Sequence, residues 1–329
     1  MEYVNFGKAC VKVSRIALGL GFRGQNDPAE AQKVVERAID LGITFFDCAN
    51  VYGPTGKDAW DIGHSERILG RVITSCRDDV VITTKVAGAV GTGPNESGLS
   101  RYHIMQQVER SLKHLETDYI DVYLAHDYPH DNPHEETLRT FDDLVRSGKV
   151  LYVGCCNYDA WQVCHALWIQ ERINASPYIC VQNPYNLLNR KLEHEMFGVI
   201  REFGLGAMAY SPLAVGLLSG AFDLDKPAPA DSLWGTVEHR KGRFERLMQG
   251  PIKKTVALLY ELATEIGKTP AQLAMSWVLS HPEITTALSG SDKVEHVEDV
   301  VGGVDWELDP DIRKRLDEQS KSLGEALDG

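Results

Sequence analysis

The sequence predicts an α/β protein with a closed (β/α)8 barrel of the TIM-barrel type, preceded by an N-terminal β-hairpin and followed by a C-terminal helix. Short apolar runs rich in β-branched residues alternate with amphipathic stretches of about 12 residues, which is typical of β–α units with parallel strands. Eight such runs occur, the number of strands that closes this barrel. The length of 329 residues suits one barrel with insertions. We therefore expect a single barrel domain spanning residues 1–329.

The elements follow one another in a regular order. The first 14 residues do not fit the repeat, and the segment VNFGKACVKVS predicts a hairpin that closes the bottom of the barrel. Ala29–Leu41 is a representative helix, with apolar residues at helical spacing. The strands are predicted at Arg15–Leu18, Thr44–Phe46, Val80–Thr84, Ile120–Leu124, Val150–Gly154, Ile179–Val181, Gly206–Tyr210 and Ile284–Leu288.

Glycines and long loops mark the ends of the repeating units. Gly42, Gly148 and Gly204 each follow a helical stretch and precede a strand, as a glycine that ends a helix does. Two long loops interrupt the repeat, Gly91–Leu99 after the third strand and Asp223–Gly250 after the seventh. Long loops after strands belong to the face of the barrel where active sites lie.

Composition excludes several classes of protein. The formal net charge of −13 is unfavourable for a nucleic-acid-binding surface, which needs basic stripes. No apolar run reaches 18 residues, so no membrane span is expected. The N-terminus lacks the pattern of a signal peptide, and seven scattered cysteines suit reduced thiols, which together predict a cytoplasmic protein. No coiled-coil pattern appears, and the oligomeric state stays open.

Polar side chains end three successive strands. The second predicted strand runs into Asp47, the third into Lys85 and the fourth into His126, and Tyr52 follows Asp47 by five residues. An acid, a base and an imidazole thus converge at one rim, where they must pair with each other or with a ligand. A nearby ammonium lowers the pKa of a phenol, so this set predicts a proton donor for carbonyl reduction or a base for alcohol oxidation. Since side chains supply no hydride, a nicotinamide cofactor is implied. A purely structural ion-pair cluster is the alternative.

Over nearly its whole length the chain resembles the aldo-keto reductases. The resemblance lies in FFDCANVYG, GHSERILG, VITTKV, DVYLAHD, SGKVLYVGCCNY, VQNPYNLLNR and AYSPLAVGLLSG, which together are specific although each alone is weak. It implies that Tyr52 donates the proton, that Lys85 and Asp47 tune it, and that His126 orients the substrate. It also implies an extended nicotinamide cofactor lying across the barrel mouth.

The same resemblance implies a set of cofactor contacts. The nicotinamide carboxamide would meet Cys156, Asn157 and Gln182, and Tyr210 would stack on the ring. The segment Ser211 to Leu217 would wrap the pyrophosphate and Gly290 to Asp299 the adenosine. The individual cofactor contacts expected are Gly21, Asp47, Cys156, Asn157, Gln182, Tyr210, Ser211, Pro212, Leu213, Gly216, Leu217, Gly290, Ser291, Asp292, Lys293, His296 and Asp299.

Two departures from the family pattern bear on the cofactor. Cys156 stands where the family usually has serine, which removes a hydroxyl. Asp292 and Val300 stand where the family often has a basic residue for a 2′-phosphate and an asparagine for adenine, although Lys293 and His296 remain nearby. An acid near the ribose repels phosphate and favours a hydroxyl. The family default, NADP(H), stays the favoured cofactor, and this acid makes NAD(H) possible.

Other motifs have simpler interpretations. His126, His130 and His134 are spaced by four, but Pro129 and Pro133 interrupt a helix, so the last two histidines are interpreted as loop residues and no metal site is expected. The Ser-Glu pair of GHSERILG is interpreted as helix capping. Cys155 and Cys156 would point to opposite faces of a strand, and no disulfide is expected between them.

Aromatic residues leave two possibilities open. Trp60, Tyr128 and Trp234 fall in loops at the barrel mouth, where they line an apolar substrate pocket or pack the loops. Trp277 lies in a helical stretch and is predicted to be core. The substrate is expected to be a small aldehyde, ketone or sugar. Two alternatives are a cofactor-binding module like the channel β-subunits that resemble this family, and a metal-dependent hydrolase, against which the missing His-x-His weighs.

Overall fold

The computed structural model describes residues 1–22, 25, 27–53, 62–130, 133–230, 232–237, 240 and 242–323. A two-stranded antiparallel hairpin, β1 (Tyr3–Asn5) and β2 (Lys12–Ser14), precedes the barrel. The eight barrel strands are parallel and pair in chain order, with the last returning to the first. They are β3 (Ile16–Gly19), β4 (Phe45–Asp47), β5 (Val81–Val86), β6 (Ile120–Ala125), β7 (Val150–Cys156), β8 (Tyr178–Pro184), β9 (Gly206–Tyr210) and β10 (Thr286–Ser289).

Helices surround the barrel. They are α1 (Pro28–Asp40), α2 (His64–Ile73), α3 (Arg101–Leu115), α4 (His134–Arg146), α5 (Ala160–Arg172), α6 (Met196–Phe203), α7 (Leu233–Thr236), α8 (Arg243–Leu247), α9 (Pro251–Glu265), α10 (Pro270–Leu279), α11 (Val294–Val301) and α12 (Pro310–Ser320). The short helices α7 and α8 lie within the long loop after β9. Among the residues described, none of the helices is long and apolar enough to span a bilayer. The predicted barrel, hairpin and C-terminal helix are confirmed.

Helix α1 illustrates how the sequence specifies these elements. The Asp27 side chain accepts a hydrogen bond from the Ala29 backbone N–H at 2.8 Å, which caps the helix, and Pro28 occupies the first turn. The residues Ala31, Val34, Val35 and Ala38 form its buried face. Gly42, Gly148 and Gly204 all have positive φ where their helices end, as predicted.

Two separate sets of buried apolar side chains form the core. The larger lies between strands and helices, and Trp277 is fully buried in it, as predicted. The smaller fills the barrel interior with side chains of the strands and of the hairpin. Phe6 belongs to the interior set and packs edge-on against Phe45, with ring centroids 5.2 Å apart. The hairpin thus closes the barrel opposite the carboxyl ends of the strands.

The register of the strands controls what faces the interior. Cys155 packs in the outer core, whereas the Sγ of its neighbour Cys156 approaches Gln182 Oε1 at 3.4 Å inside the barrel. The expectation that the two thiols face opposite sides is confirmed, and every cysteine of the chain is a free thiol. Burial raises the pKa of Cys156 to about 12, so it is a neutral thiol near pH 7.

Replacement of Phe6 tests the role of the hairpin as the barrel floor. We expect Phe6→Ala to lower the free energy of unfolding by about 3–5 kcal/mol, because it leaves a cavity among fully buried side chains. Lys12→Ala, at an exposed position of the same hairpin, is the control and should change it by less than about 0.5 kcal/mol. Chemical denaturation measures both values. Equal losses in the two variants would contradict a packed floor.

Candidate active site

Four polar side chains meet inside the mouth of the barrel. Asp47 is the last residue of β4, Lys85 lies near the end of β5, and His126 directly follows β6. Tyr52 lies in the loop after β4, and its backbone N–H donates to the Ala49 carbonyl at 3.1 Å. The structure thus brings together the three residues that the sequence placed at successive strand ends and Tyr52 from the loop after β4.

Asp47 and Lys85 form a completely buried ion pair. Lys85 Nζ lies 2.6 Å from Asp47 Oδ2, and the two side chains are 0% and 3% exposed. Lys85 Nζ also donates to the Cys48 carbonyl at 2.7 Å. A charge removed from water must be satisfied by a partner and by hydrogen bonds, and this pair has both.

The second carboxylate oxygen of Asp47 is also satisfied. It accepts hydrogen bonds from Thr83 Oγ1 at 2.6 Å and from Gln182 Nε2 at 2.8 Å. Thr83 was missed by sequence analysis, although its position two residues before Lys85 places both side chains on one face of the strand. Both carboxylate oxygens of Asp47 therefore have hydrogen-bond partners, and these contacts hold the carboxylate beside Lys85.

Tyr52 lies between the cation and the imidazole. Its Oη lies 3.4 Å from His126 Nε2, and the two rings meet edge to face with centroids 5.6 Å apart. Lys85 Nζ lies 4.6 Å from the centroid of the phenol ring. A substrate oxygen placed near Tyr52 Oη and His126 Nε2 would therefore meet two hydrogen-bonding groups at once.

The pKa of Lys85 is raised, which keeps it charged as expected, but the pKa of Tyr52 is raised rather than lowered. Burial alone lowers the pKa of Lys85, but the Asp47 carboxylate and Tyr52 act more strongly in the other direction and raise it above its ordinary value. Burial raises the pKa of Tyr52, and Lys85 opposes this only in part. The ammonium acts in the predicted direction, but desolvation outweighs it, so the phenol keeps its proton at neutral pH.

Polar groups on the neighbouring strand ends extend the site. Asn157 follows β7 with a left-handed backbone, and its Nδ2 donates to the His126 carbonyl at 3.0 Å. Tyr210 ends β9, and its hydroxyl donates to Asn157 Oδ1 at 2.9 Å. Gln182 and Cys156 lie deeper and contact each other. These amide groups, together with the ring of Tyr210, fit a planar carboxamide-bearing ring such as nicotinamide.

The segment after β9 has an unusual backbone. Ser211, Ala214, Val215 and Gly216 all have positive φ, which is costly for the three residues that carry a Cβ. Asn186 Nδ2 donates to the Ser211 carbonyl at 2.9 Å and helps to hold this conformation. Three of these residues, Ala214, Val215 and Gly216, are consecutive. The expected pyrophosphate segment, which also contains Pro212, Leu213 and Leu217, therefore follows a tightly turned backbone.

The segment after β10 contains the residues expected near adenosine. Gly290 and Ser291 follow the strand, and the Ser291 hydroxyl lies 2.7 Å from that of Ser289. The Asp292 carbonyl accepts from Gln25 Nε2 at 3.0 Å, and Lys293 is the N-cap residue of α11. This brings Asp292 close to the chain after β3, where Gly21 also lies.

The remaining residues expected near adenosine lie on α11 and have different environments. His296 is exposed in its first turn. Asp299 accepts a hydrogen bond from Thr269 Oγ1 at 2.7 Å, so its carboxylate ties α11 to the start of α10. Val300, at the position where the family often has asparagine, is buried in the core.

The aromatic residues expected at the mouth have different environments. Trp60 lies outside the described residues. Trp234 is buried, and its Nε1 donates to the Val215 carbonyl at 3.0 Å, so it packs against the segment after β9. Tyr128 is partly buried, and its hydroxyl lies 3.4 Å from His165 Nδ1. Exposed Trp161, which sequence analysis did not consider, lies 5.7 Å from the Tyr128 ring between centroids.

Two interpretations of the sequence motifs were wrong. His134 is the buried first residue of α4 rather than a loop residue, and its Nε2 lies 3.3 Å from the Tyr158 hydroxyl. Burial, with a contribution from His165, lowers the pKa of His134 to about 4. Ser65 and Glu66 do not cap α2, which begins after Gly63 without a side-chain cap, because both side chains bond to other elements instead. Among the described residues, no three potential ligands are close enough to hold a metal ion.

Comparison with known proteins identifies the relatives of this barrel. The model of the aldo/keto reductase family matches residues 15–321. An uncharacterized oxidoreductase of Bacillus subtilis is 34% identical over 97% of this chain and 95% of its own length. A probable voltage-gated potassium channel subunit beta of Arabidopsis thaliana is 33% identical over 93% of this chain and 92% of its own. The L-glyceraldehyde 3-phosphate reductase of Escherichia coli is 32% identical over 92% and 87%.

Replacement of Lys85 tests the buried pair directly. We expect Lys85→Met to lower the free energy of unfolding by about 3–5 kcal/mol, because the Asp47 carboxylate is left buried without its cation. The double variant Lys85→Met/Asp47→Asn removes both charges and should recover most of that loss. Denaturant titration of the two variants and of Asp47→Asn measures the coupling. Additive losses would show that the pair has no coupling energy.

Proposed function

The chain belongs to the aldo/keto reductase family, and on that basis we propose that it transfers a hydride between a nicotinamide cofactor and a small aldehyde, ketone or sugar. The observation that carries this proposal is the convergence of Tyr52, His126 and the buried Asp47–Lys85 pair at one point of the barrel mouth. A structural ion-pair cluster would account for Asp47 and Lys85. It would not require a phenol and an imidazole to face each other beside them.

The proposed roles follow from the positions of the side chains. Tyr52 donates its proton to the carbonyl oxygen, and His126 hydrogen-bonds the same oxygen and orients it, since Oη and Nε2 lie 3.4 Å apart. The Lys85 ammonium, 4.6 Å from the ring centroid, stabilises the phenolate that remains. Asp47 keeps Lys85 charged and in place. In the oxidative direction the same tyrosine accepts the proton.

The proposed cofactor is bound by residues on the other side of the mouth. When bound, a nicotinamide cofactor supplies or accepts the hydride. Asn157 and Gln182 would hold its carboxamide, Tyr210 would stack on its ring, and the left-handed segment after β9 would bind its pyrophosphate. Support for this comes from the amide groups at the strand ends and from the strained backbone of Ser211–Leu217.

NADP(H) is the proposed cofactor of preference, with NAD(H) as the alternative. Lys293 and His296 lie at the start of α11, where a 2′-phosphate would gain from positive charge and from the helix N-terminus. Asp292 lies beside them and opposes an anion. The balance between these charges determines the preference. Oxidation of a sugar or polyol would be natural if NAD(H) is preferred.

A second candidate is a cofactor-binding regulatory module. It is favoured by the identity of 33% with a protein described as a probable voltage-gated potassium channel subunit beta. Such a module would bind the cofactor without steady-state turnover. The complete set of Asp47, Tyr52, Lys85 and His126 supports the enzyme instead.

Replacement of the proposed proton donor separates the two candidates. We expect Tyr52→Phe to lower kcat for carbonyl reduction by about 10²- to 10⁴-fold, because general acid catalysis is lost. The Kd for NADPH, measured by quenching of tryptophan fluorescence, should stay near the wild-type value. Tyr123→Phe removes a buried phenol that faces the helices and should keep normal turnover. Full activity of Tyr52→Phe would rule out the proposed mechanism, and cofactor binding without turnover in the wild type would favour the module.

Reversal of charge tests the proposed 2′ site. We expect Asp292→Arg to raise the ratio of NADPH to NADH affinity by about tenfold, a value typical of one charge-assisted contact. Glu295→Arg makes the same change of charge at an exposed position of α11 and should alter the ratio much less. Titration of each variant with both cofactors gives the ratios. An unchanged ratio in Asp292→Arg would mean that Asp292 does not face the ribose.

A further inference from the structure

A second buried carboxylate lies on the opposite side of strand β5 from the site. Glu66 is fully buried in the first turn of α2, between the barrel and the helices. Its Oε1 accepts a hydrogen bond from Thr84 Oγ1 at 2.6 Å, and its Oε2 lies 3.1 Å from His114 Nδ1 on α3. Burial of a carboxylate costs free energy, because hydrogen-bond partners in the protein must replace the water that it loses. The proposed chemistry does not use Glu66.

The partner of Glu66 on β5 is the residue next to Lys85. Side chains alternate along a strand, so Thr84 points outward to Glu66 while Lys85 points into the barrel. A shift of Thr84 along or across the strand would carry Lys85 with it. The Thr84–Glu66 hydrogen bond thus connects α2 to the backbone of the residue next to Lys85.

The residue before Glu66 contacts the loop that carries Tyr52. The Ser65 backbone N–H donates to the Tyr52 carbonyl at 3.3 Å, and the Ser65 hydroxyl donates to the Ala49 carbonyl at 3.4 Å. The same loop is tied to β5, because the Asn50 backbone N–H donates to the Lys85 carbonyl at 3.2 Å. One turn of α2 therefore holds both the loop of Tyr52 and the strand of Lys85.

His114 is held tightly against this turn. A Cβ built on Gly63 would come within 2.5 Å of His114 Nδ1, and one on Gly70 within 2.5 Å of the His114 carbonyl oxygen. Only glycine leaves room for α3 to approach α2 this closely. The motif GHSERILG is thereby explained as a docking device, with glycines for close approach and Glu66 for the polar connection.

From these contacts we propose that Glu66 is a positioning residue, which through Thr84, His114 and the adjacent Ser65 fixes the placement of Lys85 relative to Tyr52. The inference rests on the proposed function for its consequence in catalysis. Its geometric content, the separation of Lys85 Nζ and the Tyr52 ring, is independent of that function.

The variant Thr84→Val tests this proposal most cleanly, since it removes the hydroxyl donor and keeps the shape. We expect kcat to fall about 10- to 100-fold, the effect of misplacing a catalytic group by up to about 1 Å, with KM changed by less than about threefold. The alkaline limb of the pH profile of kcat should move to higher pH, because a more distant ammonium lowers the phenol pKa less. Thr84→Ser keeps the hydroxyl and should restore normal values. Glu66→Gln keeps an acceptor for Thr84 and should be milder than Glu66→Ala.

A matched control is a buried carboxylate on β6 that binds the same strand, β5. Asp121 is a buried carboxylate that pairs with Arg77 at 2.7 Å and accepts from the Ile82 backbone N–H of β5 at 3.0 Å, toward the other end of the barrel. Asp121→Asn should lower the melting temperature and leave kcat and its pH profile unchanged. If Thr84→Val and Glu66→Ala also lose only stability, with the wild-type kcat and pH profile, the positioning role is refuted.

Crystal structures of the variants separate this proposal from the function on which it rests. In Thr84→Val and Glu66→Ala the distance from Lys85 Nζ to the Tyr52 ring centroid should increase from 4.6 Å, whereas in Asp121→Asn it should not. An unchanged distance in both overturns the proposal, whatever the activity. If the wild type reduces no carbonyl compound, the proposed function fails, and the positioning role is still decided by these distances.

Discussion

The buried ion pair between Asp47 and Lys85 is the interaction on which the rest of the site depends. Both side chains are buried, and the distance between their charged atoms is 2.6 Å. Two charges removed from water are tolerated only if each atom has a partner in the correct position. Thr83, Gln182 and the Cys48 carbonyl provide these partners. They come from adjacent and distant strands, so the pair requires a closed barrel with fixed register.

Side chains alternate along a strand, so neighbouring residues at each strand end face the barrel interior and the surrounding helices. Lys85 faces the barrel interior while Thr84 connects the strand to α2, and Cys156 faces inward while Cys155 packs against helices. A change on the outer face can therefore alter the chemistry on the inner face without any contact with a ligand. Residues behind the strands, and not only those that line the mouth, belong to the functional unit.

The relatives of this chain show that one barrel serves more than one purpose. Proteins described as a reductase and as channel subunits are about equally similar to it, at 32% and 33% identity. Fold does not decide between turnover and regulation, and the polar groups at the strand ends carry that information. The phenol of Tyr52, beside a cation and an imidazole, favours the proposed enzyme over the regulatory module.

The sequence alone determined the barrel, the order of its strands, and the meeting of Asp47, Lys85 and His126. The pattern of apolar residues predicts the strands. Parallel strands in a closed barrel bring their carboxyl ends together, whatever the sequence of the segments that connect them. Tertiary structure alone decided the burial and the hydrogen-bond partners of Glu66, the burial of His134, and the net rise in the pKa of Tyr52. The local motif predicted that Ser65 and Glu66 cap a helix. Their hydrogen-bond partners are instead Ala49, Thr84 and His114, which lie 16 to 48 residues away along the chain. Hydrogen-bond partners and desolvation depend on which distant segments pack together, and no local pattern records this.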